Sequence, residues 1–130
     1  ELIPEAEINL VNLSLILESV SFSHEIQDND RIYITEDGIF PLWIKMHLAQ
    51  HFIALSTYIE VPKGKGEDEL LKFCNKINSE YIVPSVYLRE GRIWFFQPIY
   101  VKENLQRNHL LRLIRYFSAG VFKVENECAE

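Results

Sequence analysis

Apolar residues between positions 5 and 20 follow helical spacing. Leu10, Leu13, Ile16, Leu17 and Val20 share one face, and Pro4, Glu5 and Glu7 suit a helix start. A second set, Ile8, Val11 and Leu15, falls on another face of the same wheel. A surface helix buries one stripe, so two stripes predict either deep burial or a partner. A strand through Leu13-Ser14-Leu15 is the alternative. Residues 21–30 are polar and predict a loop.

Period-two segments follow. Residues 31–35 alternate and end at Glu36-Asp37-Gly38, a hairpin signal because glycine accepts positive φ. Residues 39–48 and 51–61 are rich in strand formers. Pro41 cannot donate to a ladder, so it marks a strand start or an edge. Pro62-Lys63-Gly64-Lys65-Gly66 closes the meander.

Helical spacing returns over residues 67–78, with Leu70, Phe73, Cys74 and Ile77 on one face and three acids in the first turn. Residues 81–89 and 92–101 read as strands joined at Glu90-Gly91. The second of these strands is unusual. Ile93, Phe95 and Ile99 point one way, and Trp94, Phe96 and Tyr100 the other. A sheet open to water alternates apolar with polar, so one face predicts helices and the other a partner or further chain. Residues 105–118 form a last helix, with Leu110, Leu113, Ile114 and Phe117 on its stripe. Gly120 reads as its cap and residues 125–130 as a frayed tail. The order α-β-β-β-α-β-β-α predicts an α+β fold with a largely antiparallel sheet packed with helices, forming a single domain over residues 1–130.

Composition narrows the function classes. The 130 residues carry a net charge of -6 and a pI of about 5.2, which disfavours nucleic acid. The charge is uneven. Residues 1–30 hold acids and no Lys or Arg, whereas residues 102–123 hold Lys102, Arg107, Arg112, Arg115 and Lys123 against Glu103 alone. Two solvated faces explain this, and complementary contact between the ends is the sharper alternative. No apolar run is long enough to span a membrane. No basic-apolar-small leader is present, and a start at Glu1 leaves open whether a leader once preceded it. Two cysteines, Cys74 on an apolar helix face and Cys128 in the tail, fit a reducing cytoplasm better than a disulfide scaffold.

Catalytic patterns are absent. His47 and His51 are four apart, but a turn is expected between them and no HExxH occurs, so no metal site is assigned. Lys63-Gly64-Lys65-Gly66 lacks the spacing and the Ser/Thr of a phosphate loop. Lysines before a helix start still make Lys63 and Lys65, with Arg107, Arg112 and Arg115, candidates for holding an anion. Cys74 reads as a core thiol. The triplet Glu67, Asp68, Glu69 splays around one helical turn and reads as a solvated face.

Leu70–Asn78 (LLKFCNKIN) and Val86–Phe95 (VYLREGRIWF), with Ile53–Val61 as a weaker third segment, resemble the YbjN family of putative bacterial sensory transduction regulators. The resemblance implies the fold of type III secretion chaperones and a small, acidic, non-enzymatic protein, often a homodimer, that binds other proteins. It supplies no catalytic residue. The basic last helix departs from the acidic surface of those chaperones.

The expected function is therefore a non-enzymatic, cytoplasmic protein-binding module, a regulator or chaperone-like protein acting as a homodimer with an unidentified protein partner and no cofactor. Its interface candidates are Ile8, Val11, Leu15, Trp94, Phe96 and Tyr100. The alternative is a small-ligand or anion-binding regulatory domain built on Lys63–Gly66 and the arginines of the last helix.

Overall fold

In the computed structural model, which describes residues 1–130, the chain is organised around one six-stranded sheet. Strand β1 (Leu2–Pro4) leads through a 3-10 turn (Glu5–Glu7) to helix α1 (Leu10–Ser19). Strands β2 (His24–Gln27), β3 (Arg31–Ile34), β4 (Leu42–His47) and β5 (Phe52–Glu60) follow, with a 3-10 turn at Leu48–Gln50. Helix α2 (Glu67–Glu80), strands β6 (Ser85–Arg89), β7 (Arg92–Tyr100) and β8 (Asn104–Gln106), and helix α3 (Arg107–Ala129) complete the chain. The sheet order is β2-β3-β4-β5-β7-β6 and every pairing is antiparallel. The α+β fold and its antiparallel sheet match the sequence expectation.

One sheet face carries Ile32, Ile34, Leu42, Ile44, Ile53, Leu55, Ile59, Val86, Ile93, Phe95 and Ile99, all buried. Leu13, Ile16 and Leu17 of α1, Leu70, Cys74 and Ile77 of α2, and Leu110, Ile114, Phe117, Val121 and Val124 of α3 join them in one continuous core. All three helices contribute to this side.

Several local expectations change. The first helix starts at Leu10 because the Asn9 side chain accepts from the Asn12 N–H (2.9 Å), an N-cap the apolar pattern does not reveal. Ile8 is thereby left outside the helix in an extended conformation and turns into the core at 2 % exposure. It is not part of a second stripe. The polar segment 21–30 contains β2, which returns to β3 through Asp28 and Asn29, both at positive φ. Asp and Asn tolerate that region because their short polar side chains bond locally. Asp37-Gly38 instead lies in a longer loop. Phe40 there donates its N–H to Ser118 Oγ (2.7 Å) and packs edge-on against Phe122, so the chain detours toward α3 before β4 begins.

Strand β6 begins only at Ser85, because residues 81–84 bend against α3. Gly120 is not a cap. A Cβ there would lie 2.6 Å from Pro84 Cδ, so glycine is what lets α3 approach this bend. The helix continues to Ala129, and the expected frayed tail is helical with Cys128 buried. Two further strands fall outside the expected pattern: β1 pairs with β8 in a separate ribbon that places residues 2–4 beside the start of α3. None of the ion pairs joins the acids of residues 1–30 to the basic residues of 102–123.

Candidate functional site

The second face of the sheet has no helix over it. Strand register assigns its side chains: Tyr33 opposes Trp43, Trp43 opposes Ser56, Ser56 opposes Phe96, Tyr58 opposes Trp94, Trp94 opposes Tyr87, and Phe52 opposes Tyr100. Ala54 and Ser56 are small and fully or nearly buried beneath this layer. The rings form a connected layer. Tyr33 stacks on Trp43 at 4.8 Å between centroids, Trp43 on Tyr58 at 6.2 Å, and Tyr58 meets Trp94 at 4.8 Å. His47 stacks on Phe52 at 4.7 Å, and Phe52 meets Tyr100 at 6.0 Å. Most of these rings are half-buried by one another, while Tyr87 and Tyr100 are open, the latter at 75 % exposure. None joins the continuous core.

Cations are set among the rings. Lys45 Nζ lies 5.6 Å from the Trp94 ring and the Arg92 guanidinium 4.4 Å from that of Tyr58. Arg92 also pairs with Glu60 at 3.0 Å. Burial holds the Lys45 ammonium below its usual range, and the nearby Arg31 and Arg89 charges add to the shift. The indole N–H of Trp43 donates to Gln27 Oε1 (3.0 Å). That of Trp94 is buried with no partner.

The sequence-named interface residues divide. Trp94, Phe96 and Tyr100 all lie on this face. Val11 (63 % exposed) and Leu15 (55 %) lie on the open side of α1. There Val11 joins Leu10, Met46 and Leu48 in lining a shallow groove. Sequence reading missed Tyr33, Trp43, Phe52, Tyr58, Tyr87 and Lys45. Their signal was the odd-even alternation of aromatics in the segments that became β3, β4 and β5, which can be used only once the register is known.

The anion-binding candidates do not assemble. Lys65 bonds the Glu130 carbonyl (3.2 Å) at the C-terminal end of α3 and lies 4.0 Å from Glu69, and Lys63 is exposed. Arg107 donates to Ser19 Oγ, and Arg115 lies over Phe22, both at the other end of α3. From Arg115 to Glu130 the helix rises on the order of 20 Å, so the two groups face different regions. Arg112 is exposed beside neither lysine.

His47 and His51 are separated by the 3-10 turn. His51 Nδ1 contacts Glu5 Oε2 at 2.5 Å, and that bond, with the Glu103 backbone N–H, holds the Glu5 carboxyl below its usual range. No group of three or more His, Cys, Asp or Glu is placed to hold a metal. Ser14 Oγ and His24 Nε2 are 2.6 Å apart, with His24 Nδ1 on the Phe22 carbonyl (2.6 Å), and neither side chain lines a concavity. No helix is long and apolar enough to cross a membrane.

Residues 9–130 match the YbjN family, described as "Putative bacterial sensory transduction regulator". The chain belongs to this family. Among solved structures it is similar to YbjN of E. coli, described as "a putative transcription regulator", with a TM-score of 0.72 and 16% identity over 90% of this chain and 88% of that one. It is also similar to a chain of the HopA1-SchA chaperone-effector complex, with a TM-score of 0.62 and 19% identity over 93% of this chain and 97% of that one. At these identities the likeness establishes the type III secretion chaperone-like fold. No curated protein sequence matches the chain.

Proposed function

We propose that this protein is a non-enzymatic binding module, a regulator or chaperone-like protein. It takes an extended segment of another protein on the aromatic face of its sheet. The observation that carries this reading is the connected layer Tyr33-Trp43-Tyr58-Trp94, left without a helix over it in an otherwise well-buried fold. Contiguous exposed apolar surface marks interaction sites, and aromatic and arginine side chains dominate their energetics. Of the cations around this face, Arg31, Arg89 and Arg92 pair with Asp30, Glu90 and Glu60, and Lys45 has no ion-pair partner. The partner segment is accordingly mainly apolar. The fold shared with a chain of a chaperone-effector complex supports a protein ligand. The buried free thiols fit action in the cytoplasm.

A homodimer completes the reading. Its contact leaves the aromatic face free for the partner segment. The edge strand β6 suits it: no strand pairs with its outer side, where only Asn78 bonds the Val86 N–H and C=O, and Ile82 (95 % exposed) just before it and Leu71 on the adjoining α2 are open. Sedimentation of the parent and an Ile82→Asp variant checks this, with a dimer expected for the first and a monomer for the second.

A photo-crosslinking residue at Tyr100 tests the docking face against one at Tyr116, which is also open (64 % exposed) but on α3. Crosslinks from Tyr100 to one discrete protein, absent from Tyr116, are expected. Equal capture at both positions, or none at Tyr100, contradicts the reading.

A further inference from the structure

Among the lysines and arginines of the outer sheet face, Lys45 alone has no ion-pair partner. Strand β5 lies between Lys45 on β4 and Trp94 on β7. The Lys45 Nζ nevertheless sits 5.6 Å from the centre of the Trp94 ring, so its stem crosses β5. The path is open because the outward-facing residues there are small. Ala54 stands directly opposite Lys45, and Ser56 stands between Trp43 and Phe96. Both are buried, at 0 % and 3 % exposure. The stem is thereby half-buried, and the amine ends over a ring face instead of beside a carboxylate.

The charges around it add to this. Arg31 is directly opposite Lys45 in the β3–β4 register, where Cβ atoms stand about 5 Å apart and like charges are unfavourable. The acid beside it, Asp30, is taken by Arg31 at 2.8 Å, and Glu60 is taken by Arg92 at 3.0 Å. His47 on the same strand stacks on Phe52. Burial first, then Arg31, hold the Lys45 ammonium below its usual range; Arg89 adds to the shift and Asp30 opposes it.

We propose that Lys45 is a lysine acylation site, modified directly by a small acyl phosphate. Only the neutral form of a lysine is a nucleophile, and desolvation beside another cation is what favours that form. The reagent class follows from the same surroundings. Its leaving group is an anion, which Arg31 attracts, and a small acyl group fits over the rings. The Lys45 amine attacks the acyl carbon and the N–C bond forms. The C–O bond to phosphate breaks, its electron pair leaves with the phosphate, and the phosphate takes up the amine proton. The product is an uncharged amide in place of the unpaired ammonium. Acylation would also alter the face that receives a protein segment, a consequence that rests on the docking reading above; the modification itself does not.

The full chain incubated with acetyl phosphate, digested and read by mass spectrometry at every lysine tests this. At neutral pH, Lys45 is expected to be acetylated several-fold faster than Lys63, Lys72, Lys76, Lys102 or Lys123. The lead is expected to narrow as pH rises toward 10.5, the ordinary lysine value, and to vanish in urea. Arg31→Gln is expected to slow acetylation of Lys45 several-fold and to leave the other lysines unchanged. Acetylation at Lys45 no faster than elsewhere overturns the proposal, since the ring's attraction for the cation or the cover over the amine would then prevail. So does a lead that survives in urea or is untouched in folded Arg31→Gln. Should Arg31→Gln not fold, the parent's ratio and its urea control decide.

Discussion

Both faces of the sheet carry large apolar side chains, and they meet different surroundings. On the inner face, branched aliphatics and Phe95 meet three helices and are fully buried. On the outer face, rings with polar handles, mostly Tyr and Trp, meet only each other and a few cations. The chemistry fits the difference. Aliphatic side chains fill a core at high packing density. Tyr and Trp bury a large area while keeping one end compatible with water, which suits a surface that is wet when free and dry when bound. Neighbouring residues of β7 such as Trp94 and Phe95 therefore sit in different surroundings, and on the proposed function they answer separate demands, binding and folding.

Substitutions can break this comparison, beginning with the largest effect. Phe95→Ala is expected to destabilise by about 3–5 kcal/mol, because it opens a cavity in the core. Trp94→Ala, one residue away, is expected to cost less than half as much; urea unfolding of the pair measures the contrast, and equal losses would join the outer face to the core. Gly120→Ala is next. Its methyl would meet Pro84 Cδ at 2.6 Å, and overpacking of this kind costs roughly 1–3 kcal/mol, readable as a lowered urea midpoint. Trp94→Phe removes the unpartnered N–H and keeps a ring, so stability is expected to stay within about 1 kcal/mol of the parent or to rise. A clear loss would mean that the indole N–H has a partner.

The smallest effect concerns pH. The Glu5 carboxyl lies below its ordinary value of 4.5 in the folded chain, through the His51 bond first. A depressed carboxyl stabilises above its unfolded value, and that contribution is lost as pH falls through the lower folded value. Glu5→Gln is therefore expected to differ from the parent above pH 4.5 and to converge with it in more acidic solution. Thermal melts across that range show the convergence; a constant difference at every pH would contradict the pairing.

Much of the fold was legible because period signals are local. The Leu70, Cys74, Ile77 stripe and the Glu90-Gly91 turn needed no knowledge of distant residues. The rest depended on long-range contacts. Strand β1 is strand only because β8 lies beside it, and α3 runs past Gly120 because that glycine fits against Pro84. The candidate site was half visible. Alternation within β7 singled out Trp94, Phe96 and Tyr100, whereas Tyr33, Trp43 and Tyr58 join them only through the register of four strands. Ile8 misled because helical spacing does not show that Asn9 caps α1 one residue later.

The claim that the outer face serves binding rather than folding meets its most direct test in a Trp94→Ala/Phe96→Ala double variant carrying the crosslinker at Tyr100. The account predicts a folded protein, with the circular dichroism of the parent and a cooperative melt, that no longer captures the partner. A variant that fails to fold, or one that folds and captures the partner as the parent does, would contradict it.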